Sequence, residues 1–275
     1  MGIGRIGIWD LASWAPLGDQ DALAELEQLG YGAVWLGGSP SADLTAAEPV
    51  LAKSTSLVVA TGIVNVWEAE PSVAAKAYLA LADTYPGRFV LGIGAGHRRI
   101  IGDRYTKPYE KLVSYLDGLD DGGVPVEARV LAALGPKVLR LARDRTAGAH
   151  PYLTTPEHTE QAREILGTGK LLVPEQKVIL DTDQDRARAN AREKLAMYLR
   201  LPNYTNNWLR LGYTEDDLAD GGSDRLVDGL VAWGDEEAIR ARVQAHLDAG
   251  ADQVAVQVLG DDKLSVFRTL APALV

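Results

Sequence analysis

Leu29-Gly30-Tyr31-Gly32-Ala33-Val34-Trp35-Leu36 joins two elements of different kinds. Upstream, residues 19–29 carry apolar side chains at helical spacing, and Gly30 stands where a left-handed C-terminal cap favours glycine. Downstream, residues 33–36 form a short apolar run of the sort that a buried strand needs. A near copy of this joint lies at the other end of the chain, Ala249-Gly250-Ala251-Asp252-Gln253-Val254. The helix leading into it is capped by Asp235 and turns Ile239, Val243 and Leu247 to one face.

The same alternation fills the chain between these joints. Strands are predicted near residues 6–9, 33–36, 56–64, 89–93, 129–133, 147–151, 176–180 and 253–258. Helices are predicted at 43–53, at 71–85 with Pro71 in its first turn, at 108–119 and at 136–145 directly after Gly135. Thr155-Pro156-Glu157 supplies an N-cap, a proline at N1 and an acidic first turn for a helix to 165. The stretch 183–232 is mostly helical and longer than a crossover requires, which predicts an inserted lid or pocket wall. Eight strands, nearly all followed by helices, predict a parallel (β/α)8 (TIM) barrel with a helical insertion between strands 7 and 8. The 275 residues then form a single domain. An open doubly wound sheet is the alternative, since strand count alone does not close a ring.

Composition narrows the partners. Hydrophobic residues make up 47% of the chain, enough for a large core, and there is no cysteine to form a disulfide or a thiolate metal site. Four scattered histidines without an HExxH motif give no metal site either. A net charge of −10 speaks against nucleic acid, which needs basic surface. No apolar run is long enough for a membrane helix and the start lacks the build of a signal peptide, so a cytoplasmic protein is expected. Residues 97–111 run against the acidic trend, with five cations (Arg98, Arg99, Arg104, Lys107, Lys111) and two anions. That island suits a small anionic ligand.

Chemistry concentrates at strand ends, the rim where barrels build their sites. Gly92-Ile93-Gly94-Ala95-Gly96-His97 closes the fourth strand. Its glycines let backbone amides approach a ring or a phosphate, although a tight strand exit needs them equally. It is not the dinucleotide fingerprint, because His97 and Arg99 occupy the positions of the required last glycine. Gly135-Pro136-Lys137 opens a helix whose free amides and dipole suit phosphate. Gly62, in Thr61-Gly62-Ile63-Val64-Asn65, marks a bulge or a close approach. His97 and His150 stand at strand exits and are candidates for proton transfer, whereas His158 and His246 read as structural. Asp10 at the first strand's exit and Tyr204 in Leu201-Pro202-Asn203-Tyr204 are candidates for substrate contact.

The ordered set of these motifs resembles the luciferase-like monooxygenase superfamily in its F420-dependent branch. It rests on Gly7-Ile8-Trp9, Leu29–Trp35, Ala60-Thr61-Gly62-Ile63-Val64, Pro86–Gly96, Leu134-Gly135-Pro136-Lys137 and Leu201-Pro202-Asn203-Tyr204, and it spans nearly the whole chain. The resemblance implies a tricyclic cofactor at the barrel mouth, coenzyme F420 or alternatively FMN. It implies a cis peptide at Gly62–Ile63, a phosphate near Gly135-Pro136 and ring contacts from Gly94-Ala95-Gly96-His97. Trp9, Gly37, Gly62, Ile63, Arg98 and Lys137 join these as expected cofactor contacts, and Ser39 joins Asp10 and Tyr204 as an expected substrate contact. Relatives acting on sugar phosphates carry an acidic residue where this chain has His97 and a histidine where it has Ser39, so that substrate class is not expected. The activity implied is hydride transfer between the deazaflavin and a small organic molecule, with His97 or His150 moving the proton. The alternatives are an FMN monooxygenase, a non-catalytic flavin or deazaflavin carrier, and an unrelated sugar-phosphate barrel. A homodimer follows by analogy.

Overall fold

Parallel pairing organises the chain throughout. In the computed structural model, which describes residues 2–275, the strands are β1 (Ile6–Leu11), β2 (Ala33–Gly37), β3 (Val58–Thr61), β4 (Val64–Asn65), β5 (Phe89–Gly94) and β6 (Arg129–Leu131). They continue with β7 (Gly148–Ala149), β8 (Leu171–Leu172), β9 (Glu175–Leu180), β10 (Val231–Gly234) and β11 (Val254–Val258). Their order is β10-β9-β11-β1-β2-β3-β5-β6-β7-β8, with β4 beside β5.

That path closes into a ring, with β10 as a side branch on β9, because β8 at its end and β9 are one segment interrupted by Val173-Pro174. On one side Leu171, Val173 and Glu175 donate backbone hydrogen bonds to Ala147, Ala149 and Pro151 at 2.8, 3.0 and 2.9 Å. On the other, Asp252 and Ala255 donate to the carbonyls of Leu172 and Pro174, both at 2.9 Å. The ring therefore closes on eight strand positions, all of them predicted, as a (β/α)8 barrel. Open-sheet topology is ruled out by this closure.

Alternation along each strand separates two cores. Ile6, Ile8, Val34, Leu36, Val59, Leu91 and Ile93 face outward to the helices. Trp9, Ala33, Trp35, Val58, Ala60, Val90, Val130 and Ala255 fill the interior. Helix signals hold as well. Asp235 caps Glu236–Asp248 by accepting from the Ala238 amide at 2.9 Å, and Thr155 caps Pro156–Leu166. Gly30 has φ +94°, as its C-terminal cap role requires.

The insertion holds helices Gln184–Leu195, Pro202–Arg210, Glu215–Leu218 and Asp224–Leu230, packed on a third core that includes Leu195, Trp208, Leu226 and Leu230. One expectation fails at its end. The mostly helical stretch expected over 183–232 ends in strand instead: Val231 and Ala232 open β10, which pairs with β9 from Val231↔Lys177 to Gly234↔Leu180. Among the described residues, no helix is long and apolar enough to cross a membrane.

The interior also buries charge. Lys177 and Glu175, both fully enclosed, form an ion pair at 3.0 Å. The ammonium also donates to Tyr152 Oη and Gln257 Oε1, each at 2.7 Å, and the other carboxylate oxygen accepts from the Leu153 amide at 3.1 Å. Burial works against both charges, raising the Glu175 pKa and lowering that of Lys177, while each partner opposes the shift of the other. Lys177→Met leaves the carboxylate without its cation and should cost about 3–5 kcal/mol of stability. Urea unfolding should show the double variant Glu175→Gln, Lys177→Met recovering much of that loss; equal destabilisation of single and double variants would refute the pairing argument.

Three histidines are also sealed in. Burial lowers His150 and His158 to about 4, and burial with the nearby Arg242 cation lowers His246 to about 3. In the unfolded chain each takes up its proton near ~6.5. The unfolded state thus binds more protons across this window, and stability present above ~6.5 is lost as pH falls toward 4. With three such groups the slope approaches ~4 kcal/mol per pH unit. Unfolding at pH 7 and pH 5 measures it, and His246→Gln should flatten it by about a third.

Candidate functional site

Strand exits on one rim surround a cavity of about 840 Å³. Trp9 from β1, the Gly62-Ile63 segment between β3 and β4, and His150 after β7 form its floor. The peptide between Gly62 and Ile63 is cis, as the resemblance implied. Ala95, Gly96 and His97 after β5 make one side, and Ala132 to Gly135 with Lys137 after β6 make the next. The insertion covers the far side with Met197, Tyr198, Asn203, Tyr204 and Arg210.

Local sterics explain the glycines. A Cβ on Gly62 would lie 2.7 Å from Trp9 Nε1 and 3.2 Å from His150 Nε2, so only glycine leaves that floor open. Gly96 has φ +60° and faces Asn65, whose Nδ2 would lie 2.6 Å from an added Cβ. Gly94 lies under the Ile63 side chain and Gly37 makes room for the Trp9 indole. Both shape the floor from behind and do not line the cavity.

Two histidines line it at different depths. His97 is half-exposed near the mouth; its Nδ1 donates to Asn203 Oδ1 at 3.1 Å and its ring lies 5.3 Å from Tyr204. Partial burial lowers its pKa, against the pull of that hydrogen bond. His150 is 2% exposed and stacks on Trp35 at 4.1 Å. Its Nδ1 lies 2.7 Å from the Val173 carbonyl, which can only accept. Neutral His150 therefore carries its proton on Nδ1 and a lone pair on Nε2. Trp9 Nε1 and His150 Nε2 are both buried without a hydrogen-bond partner.

The helix Pro136–Arg145 starts at Gly135 with no side-chain cap, and an added Gly135 Cβ would sit 3.6 Å from Arg210 Nη2. Lys137 Nζ lies 3.6 Å over the Tyr109 ring at the same rim. A free helix start between two cations can seat an anion. Arg98, Arg99 and Lys107 are exposed just beyond His97, while Arg104 is engaged with Glu68 at 3.3 Å.

Of the residues singled out in the sequence, the cavity gathers Trp9, Ser39, Gly62, Ile63, Ala95, Gly96, His97, Gly135, Lys137, His150 and Tyr204. Gly37, Gly94, Arg98 and Pro136 stand behind or beside it. Asp10 is turned away: it is fully buried, and Lys263 Nζ donates to both its oxygens at 2.6 and 2.8 Å. Burial raises its pKa against that cation's pull. Sequence reasoning missed Asn65, Tyr152, Tyr198, Asn203 and Arg210 as lining residues. The Leu201-Pro202-Asn203-Tyr204 motif pointed toward the insertion without resolving which of its side chains face inward.

Comparisons with known proteins agree with this fold. A sequence model of the luciferase-like monooxygenase family matches residues 11–121. The 5,10-methylenetetrahydromethanopterin reductase of Archaeoglobus fulgidus is 22% identical, over 81% of this chain and 83% of that protein. The coenzyme F420-dependent tetrahydromethanopterin reductase of Methanopyrus kandleri superposes with a TM-score of 0.75 at 16% identity, covering 98% of each chain. The FMN-bound oxygenating constituent of 3,6-diketocamphane monooxygenase from Pseudomonas putida gives 0.69 at 15% identity, covering 99% of each. The resemblance drawn from the motifs is thus borne out: residues 11–121 match the luciferase-like monooxygenase family in sequence, and the whole chain shares its fold with an F420-dependent reductase and an FMN-bound monooxygenase.

Proposed function

We propose that the chain is an F420-dependent oxidoreductase acting on a small organic molecule. One observation carries this reading: a single cavity joins an open glycine floor at Gly62 to an uncapped helix start flanked by Lys137 and Arg210. Such a cavity accepts a planar heterocycle at one end and its phosphate at the other. The residues present fit the group, since the floor has space where any side chain at position 62 would intrude.

When bound, F420 supplies a carbon centre that gives or takes a hydride. The chain's own residues do the rest. Gly135, Lys137 and Arg210 would hold the phosphate. Arg98, Arg99 and Lys107, exposed beside the mouth, would meet the anionic tail. Tyr198 and Tyr204 wall the substrate side and exclude water. His97 reaches both cavity and solvent, so it is the better placed of the two histidines to exchange a proton with substrate. The likeness to an FMN-bound monooxygenase supports a second reading, FMN with oxygen, on the same floor.

Titration with F420, followed by its fluorescence, tests the first reading. Saturable binding is expected, tighter than for FMN, with the difference shrinking as salt screens the tail. Lys137→Met and Arg210→Met should each weaken F420 by up to about fivefold, the scale of one exposed ion pair. Asp10→Asn should lower thermal stability and leave the affinity unchanged. Binding of FMN alone would move the assignment to the second reading.

A further inference from the structure

We infer that Trp9 Nε1–H and His150 Nε2 are a matched donor and acceptor that grip the imide edge, a carbonyl beside an N–H, of the bound flavin-type ring. The inference rests on the cofactor reading above and assigns the residues that orient the ring within it.

Four observations support it. Both atoms lack partners although their residues are 5% and 2% exposed, and both lie against Gly62 on the cavity floor. An indole N–H can only donate. The lone pair on His150 Nε2 can only accept, because the Val173 carbonyl claims the ring's single proton. Stacking on Trp35, whose own Nε1 is tied to Gln253 Oε1 at 2.7 Å, holds the imidazole in this orientation. The two atoms therefore call for a ligand edge that brings a lone pair and an X–H side by side.

Position selects the source of that edge. Trp9 lies in β1 and His150 directly after β7, and the two meet at Gly62 in the segment after β3, across the barrel mouth. The proposed phosphate seat is at the rim, at Gly135. A ligand anchored there lays one end of its ring on the central floor. The ribityl chain of flavins and deazaflavins leaves the middle ring, so both ends lie away from the phosphate, and of the two only the pyrimidine end brings a carbonyl beside an N–H to meet this donor and acceptor. A substrate arriving over the ring meets the walls before it meets the floor. Leaving either atom unpaired under a bound ring costs more than the hydrogen bond gains, so the pair acts as a filter for the edge.

Ligands altered at that edge provide the test. FMN methylated on its imide nitrogen has no proton to give and adds bulk there. The wild-type protein should bind it at least about tenfold more weakly than FMN. Trp9→Phe and His150→Phe should each weaken F420 and FMN by about tenfold, and His150→Phe should largely remove the penalty for methylation. Protein labelled with ¹⁵N-histidine gives a readout free of variants: the His150 Nε2 resonance should move when FMN or F420 is added. Equal affinity for FMN and its methylated form, or an unmoved Nε2 resonance in the saturated complex, would overturn the inference and leave the cofactor reading standing. A substrate hydroxyl that moves the resonance when the ring does not would overturn it as well. Failure of the unaltered protein to bind either cofactor would instead remove the reading on which the inference rests.

Discussion

Closure of the sheet depends on one ten-residue stretch, Leu171 to Leu180, which hydrogen-bonds to the β7 segment on one side and to β11 on the other. Without it the remaining strands are an open path with two edges, and an edge strand is both a liability and a poor wall. Pro174 sits in the middle, where it cannot donate; its carbonyl accepts from Ala255, and the flanking Val173 and Glu175 amides keep the opposite side paired. The break between β8 and β9 is thus a change of partner inside one continuous segment.

The same stretch sets the polar interior beneath the cavity. Residues two apart on a strand share a face, so Glu175 and Lys177 both point into the ring, and Lys177 spans to Tyr152 and Gln257. Tyr152 lines the cavity, packs 4.9 Å from Trp9 and hydrogen-bonds Tyr198 at 3.1 Å. A closed strand, a buried ion pair and two cavity tyrosines therefore form one connected network. Rigidity at the floor follows from ring closure and not from the loops above it.

All eight ring strands were legible because each combines an apolar run with a helix-stop or turn signal at its edge. The glycine-lined exits were legible for a related reason: Gly62, Gly96 and Gly135 occupy places where backbone or ligand must approach closely. What escaped was tertiary. Val231-Ala-Trp-Gly234 is too short to stand out from the helical stretch before it, and its pairing with β9 is visible only in three dimensions. Glu175 and Lys177 carry no local sign of their pairing, which the barrel makes by bringing Tyr152 and Gln257 to the same ammonium. Asp10 reads as a candidate substrate contact at a strand exit because its partner, Lys263, lies 253 positions away in the sequence. Arg210 and Tyr198 reach the cavity through the packing of the insertion, and their local sequence carries no sign of it.

That packing has a mechanical outcome. The insertion departs from the end of β9 and returns as β10, hydrogen-bonded to that same strand in register with Lys177. Both of its feet thus stand on one rail of the ring. A wall so mounted is tied to the barrel at both ends, and its apolar interior is distinct from the barrel's. Chain length or side-chain bulk within it can be exchanged to reshape the aperture over the cavity while the floor stays tied to the cylinder beneath.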